Sequence, residues 1–268
     1  TSEPIQRFSN HSGQCTLGVR LAPDGNDIDE FKYRLQQAKK MSHRIKSAPL
    51  GREHIGVGFR AIWKMMLQYP IGATCFTRKQ CQKLQATYLP AFLSKMGINR
   101  TTSTAVRHGP SHLGGMEVFD CETEQGIQHT KLIIAHLRKN DEVSKLLSIS
   151  LDHLQLQAGV PWPVLSQPGY SQRLYVDPCY LSHTWEFLDD IGNHLRLEQD
   201  KWIHPQRTGD RFLMEDFASL PDIRPIQLVH AQRCRLFLGV TTLADISHSN
   251  GRMLCHWAIT GQPPPRHS

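Results

Sequence analysis

Two adjacent carboxylates, Asp189 and Asp190, are the residues that could most directly do chemistry, because an aromatic residue precedes them in Phe187-Leu188-Asp189-Asp190. Such a pair can hold two Mg²⁺ ions when a tight turn between strands aims both carboxylates outward beside a third Asp. Here apolar residues recur every three or four positions, which predicts an amphipathic helix over residues 178–195 with both carboxylates on its exposed face. We therefore predict no catalytic residue here, and a metal-dependent enzyme site on this pair stays open as the alternative. The apolar repeat consists of Trp185, Leu188, Ile191 and Leu195.

Histidines and cysteines near the C-terminus form a second group that could do chemistry, as ligands of zinc. Their spacing matches no common zinc module, so we predict no metal site. Gly56-Val57-Gly58 begins a dinucleotide-binding motif, but it lacks the third glycine and lies within a helical pattern. We therefore expect no cofactor. The zinc candidates are Cys234, His248, Cys255 and His256.

The basic residues are concentrated in one part of the chain. Residues 1–110 contain 17 Lys and Arg against 6 Asp and Glu, whereas residues 111–268 contain 14 against 18. Within residues 31–110 there are 15 Lys and Arg and one acidic residue, Glu53. A folded segment with so one-sided a charge repels itself, which favours an anionic partner, and nucleic acid is the partner we expect. The alternative is a basic surface that water alone covers.

Two of the predicted helices present these cations at regular spacing. A helix that begins after Asp27 carries a polar, basic stripe opposite an apolar one, and a helix that begins at Thr77 carries cations in its first half. The predicted nucleic-acid-binding residues are Lys32, Lys39, Lys40, His43, Arg44 and Lys46 in the first helix, Arg78, Lys79 and Lys83 in the second, and Arg100 and Arg107 beyond it.

The whole pattern predicts a mainly α protein with a short N-terminal β element. Asp27 with Glu30, and Thr77 with Gln80, have the spacing of capping boxes at the starts of those two helices. Short strands are predicted over residues 15–21 and 116–119, and a Pro- and Gly-rich linker over 159–177. Further helices are predicted over residues 52–68, 123–139, 142–158, 178–195, 210–219 and 225–238.

Cysteine usage and hydropathy indicate where the protein works. The seven cysteines show no C-x-x-C pair and no disulfide framework, which predicts reduced thiols in an intracellular protein of the nucleus or cytoplasm. No apolar run approaches the roughly 18 residues that a membrane span requires, so we expect no membrane partner.

Short motifs follow one another in a fixed order along the chain. They are Thr16-Leu17-Gly18-Val19, Leu67-Gln68-Tyr69-Pro70, Phe76-Thr77, Lys95-Met96-Gly97-Ile98-Asn99-Arg100, His108-Gly109-Pro110, Leu113-Gly114-Gly115-Met116, Glu124-Gln125-Gly126 and Leu243-Ala244-Asp245-Ile246. Together they are similar to the part of a non-LTR (LINE-like) retrotransposon reverse transcriptase that follows the catalytic palm. The likeness covers about residues 15–160, and the last motif resembles an extension beyond the thumb.

This resemblance implies an organisation and a function. Residues 1–26 would be the palm edge, 27–158 a basic thumb-like helical bundle that grips an RNA or DNA template-primer, 159–177 a linker, 178–262 a helical C-terminal extension and 263–268 a tail. The catalytic aspartates of the family precede the Leu-Gly strand, and only 14 residues precede Cys15. We therefore expect a nucleic-acid-binding fragment that is inactive alone, with the palm and fingers upstream in cis and Mg²⁺ needed only with that palm. The alternatives are a helical protein-interaction module and a polymerase subunit that uses Asp189 and Asp190.

Overall fold

The fold is known from a computed structural model that describes residues 8–169, 172–197 and 206–261. It confirms the predicted mainly helical class and the short N-terminal β element. The chain forms two compact units, residues 1–132 and 133–268, and the boundary falls inside one helix. The predicted tail, 263–268, lies outside the described residues.

The first unit contains a hairpin followed by helices. Its elements are β1 (Gln14–Thr16), β2 (Val19–Leu21), α1 (Ile28–Ser47), α2 (Arg52–Gly58), a π-helical turn (Phe59–Lys64), α3 (Met65–Ile71), α4 (Arg78–Lys95), α5 (Thr104–His108), a 3₁₀ turn (Ser111–Leu113) and α6 (Cys121–Lys139), which continues into the second unit.

The N-terminal β element is a hairpin, so the single strand predicted over residues 15–21 was wrong. β1 and β2 pair antiparallel, with Thr16 opposite Val19. The two residues between them, Leu17 and Gly18, have φ of +51° and +84°. Positive φ at both positions is the geometry of a type I′ turn, which fits the twist of a two-residue hairpin.

A buried ion pair attaches this hairpin to the helices. Glu30 in α1 is fully buried and accepts hydrogen bonds from the Arg20 amide and the Arg34 guanidinium. Arg34 also donates to the carbonyl of Gly18 at 2.7 Å and to that of Met66 at 3.0 Å. The predicted capping box was therefore wrong, because Glu30 is used by Arg20 and Arg34, and Asp27 accepts from the amide of Cys75 at 2.6 Å.

The same arginine explains why the second helical run is longer than predicted. We expected it to end near Gln68, but α2, the π-helical turn and α3 continue without a break to Ile71, with Pro70 inside. Proline has no N–H, so it cannot bond to the carbonyl four residues earlier, that of Met66. The Arg34 guanidinium donates to that carbonyl instead, so the carbonyl has a hydrogen-bond partner despite the proline.

Helices α1 and α4 run side by side in the same direction. At their N-terminal ends Asp27 accepts from Cys75, and at their C-terminal ends the Lys95 ammonium donates to the carbonyl of Ala48 at 3.0 Å. The predicted capping box of Thr77 and Gln80 begins α4 and is confirmed. An aromatic core lies beneath them, where the rings of Phe59 and Phe92 stack with centroids 3.9 Å apart.

Residues 116–119 do not form the predicted strand. Met116 and Val118 donate their amides to the carbonyls of Val106 and Arg107 at 2.8 and 3.0 Å. Their backbone therefore pairs with the short helix α5 and not with a second strand. The side chains of Val118 and Phe119 nevertheless enter the core of the first unit.

The second unit is helical as well. After the end of α6 it contains α7 (Glu142–Ala158), a 3₁₀ turn (Gln172–Leu174), α8 (Tyr180–Asp190), α9 (Leu213–Ala218), α10 (Pro225–Leu238), α11 (Leu243–Ile246) and α12 (His256–Thr260). The predicted helices near 142–158, 178–195, 210–219 and 225–238 are all present, with α8 and α9 shorter than expected. Arg235 in α10 is buried and donates to the carbonyl of Gln157, so it joins α10 to the end of α7.

Much of the segment for which a linker was predicted, 159–177, is packed into the second core. Its described part contributes the buried side chains of Val160, Val164, Leu165, Tyr175 and Val176. The structural boundary between the two units lies earlier, between residues 132 and 133. Pro and Gly mark irregular backbone, and irregular backbone can be buried where its polar groups find partners.

No helix within the described ranges is both long enough and apolar enough to cross a membrane.

Candidate nucleic-acid interface

The basic residues predicted in α1 lie on its exposed side. Lys32, Lys39 and Lys46 are seven residues apart, so they follow one side of the helix at intervals of about 10 Å. All three are exposed, while Ala38 and Ile45 face the core. Lys40 and Arg44 are exposed on the neighbouring stripe. The sequence therefore placed both faces of α1 correctly.

The cations of α4 lie at the same end of the helix pair as Lys32. Arg78, Lys79 and Lys83 are exposed in the first turns of α4. Because α1 and α4 are parallel, these residues stand beside the N-terminal part of α1. The two helices thus bring Lys32 near cations that are 46 to 51 residues away in sequence.

Three of the predicted residues have partners within the protein. Lys32 lies 3.5 Å from a carboxylate oxygen of Asp29, and Arg78 lies 2.5 Å from Glu122. Arg107 is only partly exposed and donates to the carbonyls of Arg100 and Thr102, so its guanidinium holds a loop.

The remaining predicted residues form the basic face, and in the part of the chain that the structure describes no carboxylate lies within 4 Å of their charged groups. Since the described residues offer them no carboxylate, the lysine and arginine charges of this face are available to an external anion. The members of the basic face are Lys39, Lys40, His43, Arg44 and Lys46 in α1 and Lys79 and Lys83 in α4, and Arg100 is exposed in the loop after α4.

Two other basic residues of residues 31–110 are structural. Arg34 is buried against Glu30, and Lys95 donates a hydrogen bond to the carbonyl of Ala48 at the end of α1. Sequence analysis missed a further group, Arg52, Arg60 and Lys64, which line a cavity in the first unit. The four-residue spacing of Arg60 and Lys64 was a signal for a shared side of one helix. The cavity itself could not be anticipated, because its other wall comes from residues near position 117.

Asp189 differs from its prediction. It lies in α8 as expected, but it is buried, whereas Asp190 is exposed. One Asp189 oxygen accepts the amide of Gly169 at 2.9 Å and lies 3.6 Å from Nε of Arg173. Burial raises the pKa of this carboxyl, an effect that the Gly169 amide and Arg173 oppose only in part.

Asp189 is buried because the segment before α8 folds over the helix. Gly169 lies so close to Trp185 that a Cβ on it would be 2.2 Å from the indole ring. Helical periodicity alone cannot report such a cover, which is why the exposed-face prediction was wrong for Asp189. The pair does not present two outward carboxylates, the arrangement that two bound metal ions would need.

Metal ligands do not cluster in the described residues, where no three His, Cys, Asp or Glu side chains could hold one ion together. All seven cysteines are free thiols.

Comparison of the chain with protein-family models, with curated proteins and with solved structures finds no match.

Proposed function

We propose that this protein binds a nucleic-acid duplex through the phosphate backbone, with the basic face of α1 and α4 as the contact surface. The observation that carries the proposal is a set of exposed cations, on two parallel helices, without carboxylate partners in the described residues. Duplex nucleic acid carries one negative charge per about 1.7 Å of its axis, so a row of lysines can meet several phosphates at once.

Contacts of this kind fix the position of a duplex without reading its sequence. We therefore propose binding to RNA or DNA alike. In this proposal the duplex is a template-primer, and the basic helices act as a reverse-transcriptase thumb. It places the protein in the nucleus or cytoplasm. It assigns no catalytic residue to this chain, so nucleotide addition and its Mg²⁺ would belong to a palm and fingers portion upstream in cis.

A second candidate function, protein interaction, is favoured by one observation in the second unit. Val143, Leu146 and Ile149 follow one another at three-residue intervals along α7, and all three are exposed, Leu146 and Ile149 at 64% each. Such a stripe could pack against an apolar partner.

A salt titration of duplex binding separates the two functions. Affinity for a labelled duplex should fall linearly on a plot of log K against log salt, with a slope of about −0.9 for each phosphate contacted. Absence of duplex binding at low salt would exclude the proposed function and leave the interaction module.

A further inference from the structure

The cavity of about 250 Å³ in the first unit combines an apolar lining with charged groups at its edge. It lies between the helical run that contains the π-helical turn, the end of α4 and the segment around position 117. Pockets for drug-sized ligands span about 300 to 1,000 Å³, so this one matches a single small group such as one nucleotide base with part of its sugar. The apolar lining comes from Phe59, Phe92, Met96, Ile98, Met116 and Val118.

Three cations stand at this cavity. Arg52 and Arg60 are exposed, Lys64 is half-buried, and within the described ranges no carboxylate lies within 4 Å of their charged groups. They lie in one continuous helical run, so their positions are fixed relative to one another. A cluster of unpaired cations beside an apolar wall suits a ligand with a phosphate at one end and a flat, largely apolar ring at the other.

Among the described residues that line the cavity, Glu117 is the one acidic residue, and its side chain is held in place by hydrogen bonds. Its Oε1 accepts hydrogen bonds from the amide and the hydroxyl of Ser111, at 2.9 and 2.6 Å. These bonds, and then the charges of Lys64 and His112, lower the pKa of Glu117, so it is ionised at neutral pH. Both bonds end on Oε1, and among the described residues no donor reaches Oε2, so it can accept a hydrogen bond from a ligand.

The backbone at Glu117 also supports a special role. Its φ is +49°, in the left-handed region that a residue with a Cβ rarely adopts. The amide of Glu117 donates to the carbonyl of Gly109 at 3.0 Å, which holds the residue in this conformation. Such conformations are concentrated at ligand-binding sites, where the surrounding structure enforces them.

We propose that this cavity binds one unpaired nucleotide, with its base against the apolar lining, its amino-bearing edge at Glu117 and its phosphate at Arg52, Arg60 and Lys64. Guanine fits best, because its N1–H and N2 amino group are two neighbouring donors that can both point at the remaining oxygen, Oε2. Uracil offers one donor between two carbonyl acceptors, which the carboxylate repels. The inference rests on the proposed function, since an unpaired nucleotide at the end of a bound duplex is the ligand expected here.

Titration calorimetry with free mononucleotides tests the pocket by itself. The full 268-residue chain should bind GMP at least about tenfold more tightly than UMP or inorganic phosphate, the contribution of one charge-assisted hydrogen bond. Glu117→Gln should remove most of the preference for GMP over UMP, because its single amide oxygen accepts from Ser111 and its amino group, a donor, replaces Oε2 at the ligand. Arg60→Ala should weaken GMP and UMP alike, whereas Lys131→Ala, which removes an exposed cation elsewhere in the first unit, should change neither.

A second arm tells a strand end from a free nucleotide. A duplex with one unpaired 3′ guanosine should bind more tightly than the same duplex with blunt ends, and Glu117→Gln should abolish that difference. Equal affinity for GMP, UMP and phosphate, with blunt duplex still bound, would overturn the pocket and leave the proposed function intact. GMP binding that depends on Glu117, without any duplex binding, would instead overturn the proposed function and assign the cavity to a free nucleotide.

Discussion

Asp189 should contribute to the stability of the second unit through the Gly169 amide and Arg173. Asp189→Ala leaves that buried amide without its acceptor and removes a charge next to Arg173, so it should lower the free energy of unfolding by about 1–3 kcal/mol. Asp222→Ala removes an exposed carboxylate elsewhere in the second unit and serves as the control, with an expected change within about 0.5 kcal/mol. Urea unfolding followed by tryptophan fluorescence measures both. Equal effects of the two substitutions would contradict the buried role.

Asp120 provides a pH-dependent contribution at the start of α6. Its side chain accepts from the amide and hydroxyl of Thr123, which caps the helix, and from Gln85. Burial alone would raise the pKa of Asp120, but these hydrogen bonds outweigh it and lower the pKa below the usual 3.8. A lowered pKa adds stability above the unfolded value, and this stability is lost as pH falls through the folded one.

Asp120→Asn tests that contribution, because an asparagine can still cap the helix but does not titrate. The wild type should lose more stability than the variant between pH 5 and the acid limit of folding, when both are measured by thermal unfolding. Identical pH profiles for the two proteins would show that Asp120 has the same pKa in the folded and unfolded chain.

At the residue scale, the sequence predicted which side of a helix a charged side chain occupies, but not whether another segment of the chain packs over that side chain. Lys39 and Lys46 are exposed as their spacing indicated. Asp189 had the same kind of signal and is buried, because the segment around Gly169 folds over it. Helical periodicity shows which side of a helix is apolar, but it does not show whether a loop packs over the polar side.

Among the elements, the segment before α8 depends on one close approach that only glycine permits. Gly169→Ala would place a methyl group 2.2 Å from the Trp185 ring, so it should destabilise the second unit by at least about 2 kcal/mol. Gly58→Ala is the matched control, since a Cβ there meets nothing within 4 Å and helical alanine is favoured over glycine by about 0.5–1 kcal/mol. Differential scanning calorimetry compares the two. Unchanged stability in Gly169→Ala would mean that the segment does not pack on Trp185.

Elements with local signals were predictable, and those that depend on partners were not. The capping box of Thr77 begins α4, and Asp141 caps α7, which spans the predicted residues 142–158. Residues 116–119 alternate like a strand, but whether a strand forms depends on a neighbouring strand, and here the neighbour is a helix end. The hairpin turn requires a positive φ at Leu17, and the sequence gives no sign of it because leucine rarely adopts this conformation.

At the scale of the whole molecule, the sequence predicted one of the two candidate sites, the basic face, and missed the cavity. The basic face follows from charge concentration and helical spacing, both of which are visible in one dimension. The cavity was missed because it joins Arg52, Arg60 and Lys64 to Glu117, more than 50 residues away in sequence. Only the packing of the π-helical turn against the segment around Glu117 brings these groups together.

The most direct test of the central claim compares two triple variants that lose the same charge. Lys39→Gln, Lys46→Gln and Lys83→Gln neutralise the basic face, whereas a control triple neutralises three exposed cations outside residues 31–110. The control substitutions are Lys131→Gln, Arg138→Gln and Arg233→Gln.

Both triples, and the wild type, would be titrated with the same labelled duplex over a range of salt concentrations. The basic-face triple should bind more weakly to every duplex sequence, with a log–log salt slope reduced by about 0.9 for each phosphate that the variant no longer neutralises. The control triple should keep the wild-type slope. An equal drop in affinity in the two triples would show that net charge alone attracts the duplex, and would contradict a binding surface on α1 and α4.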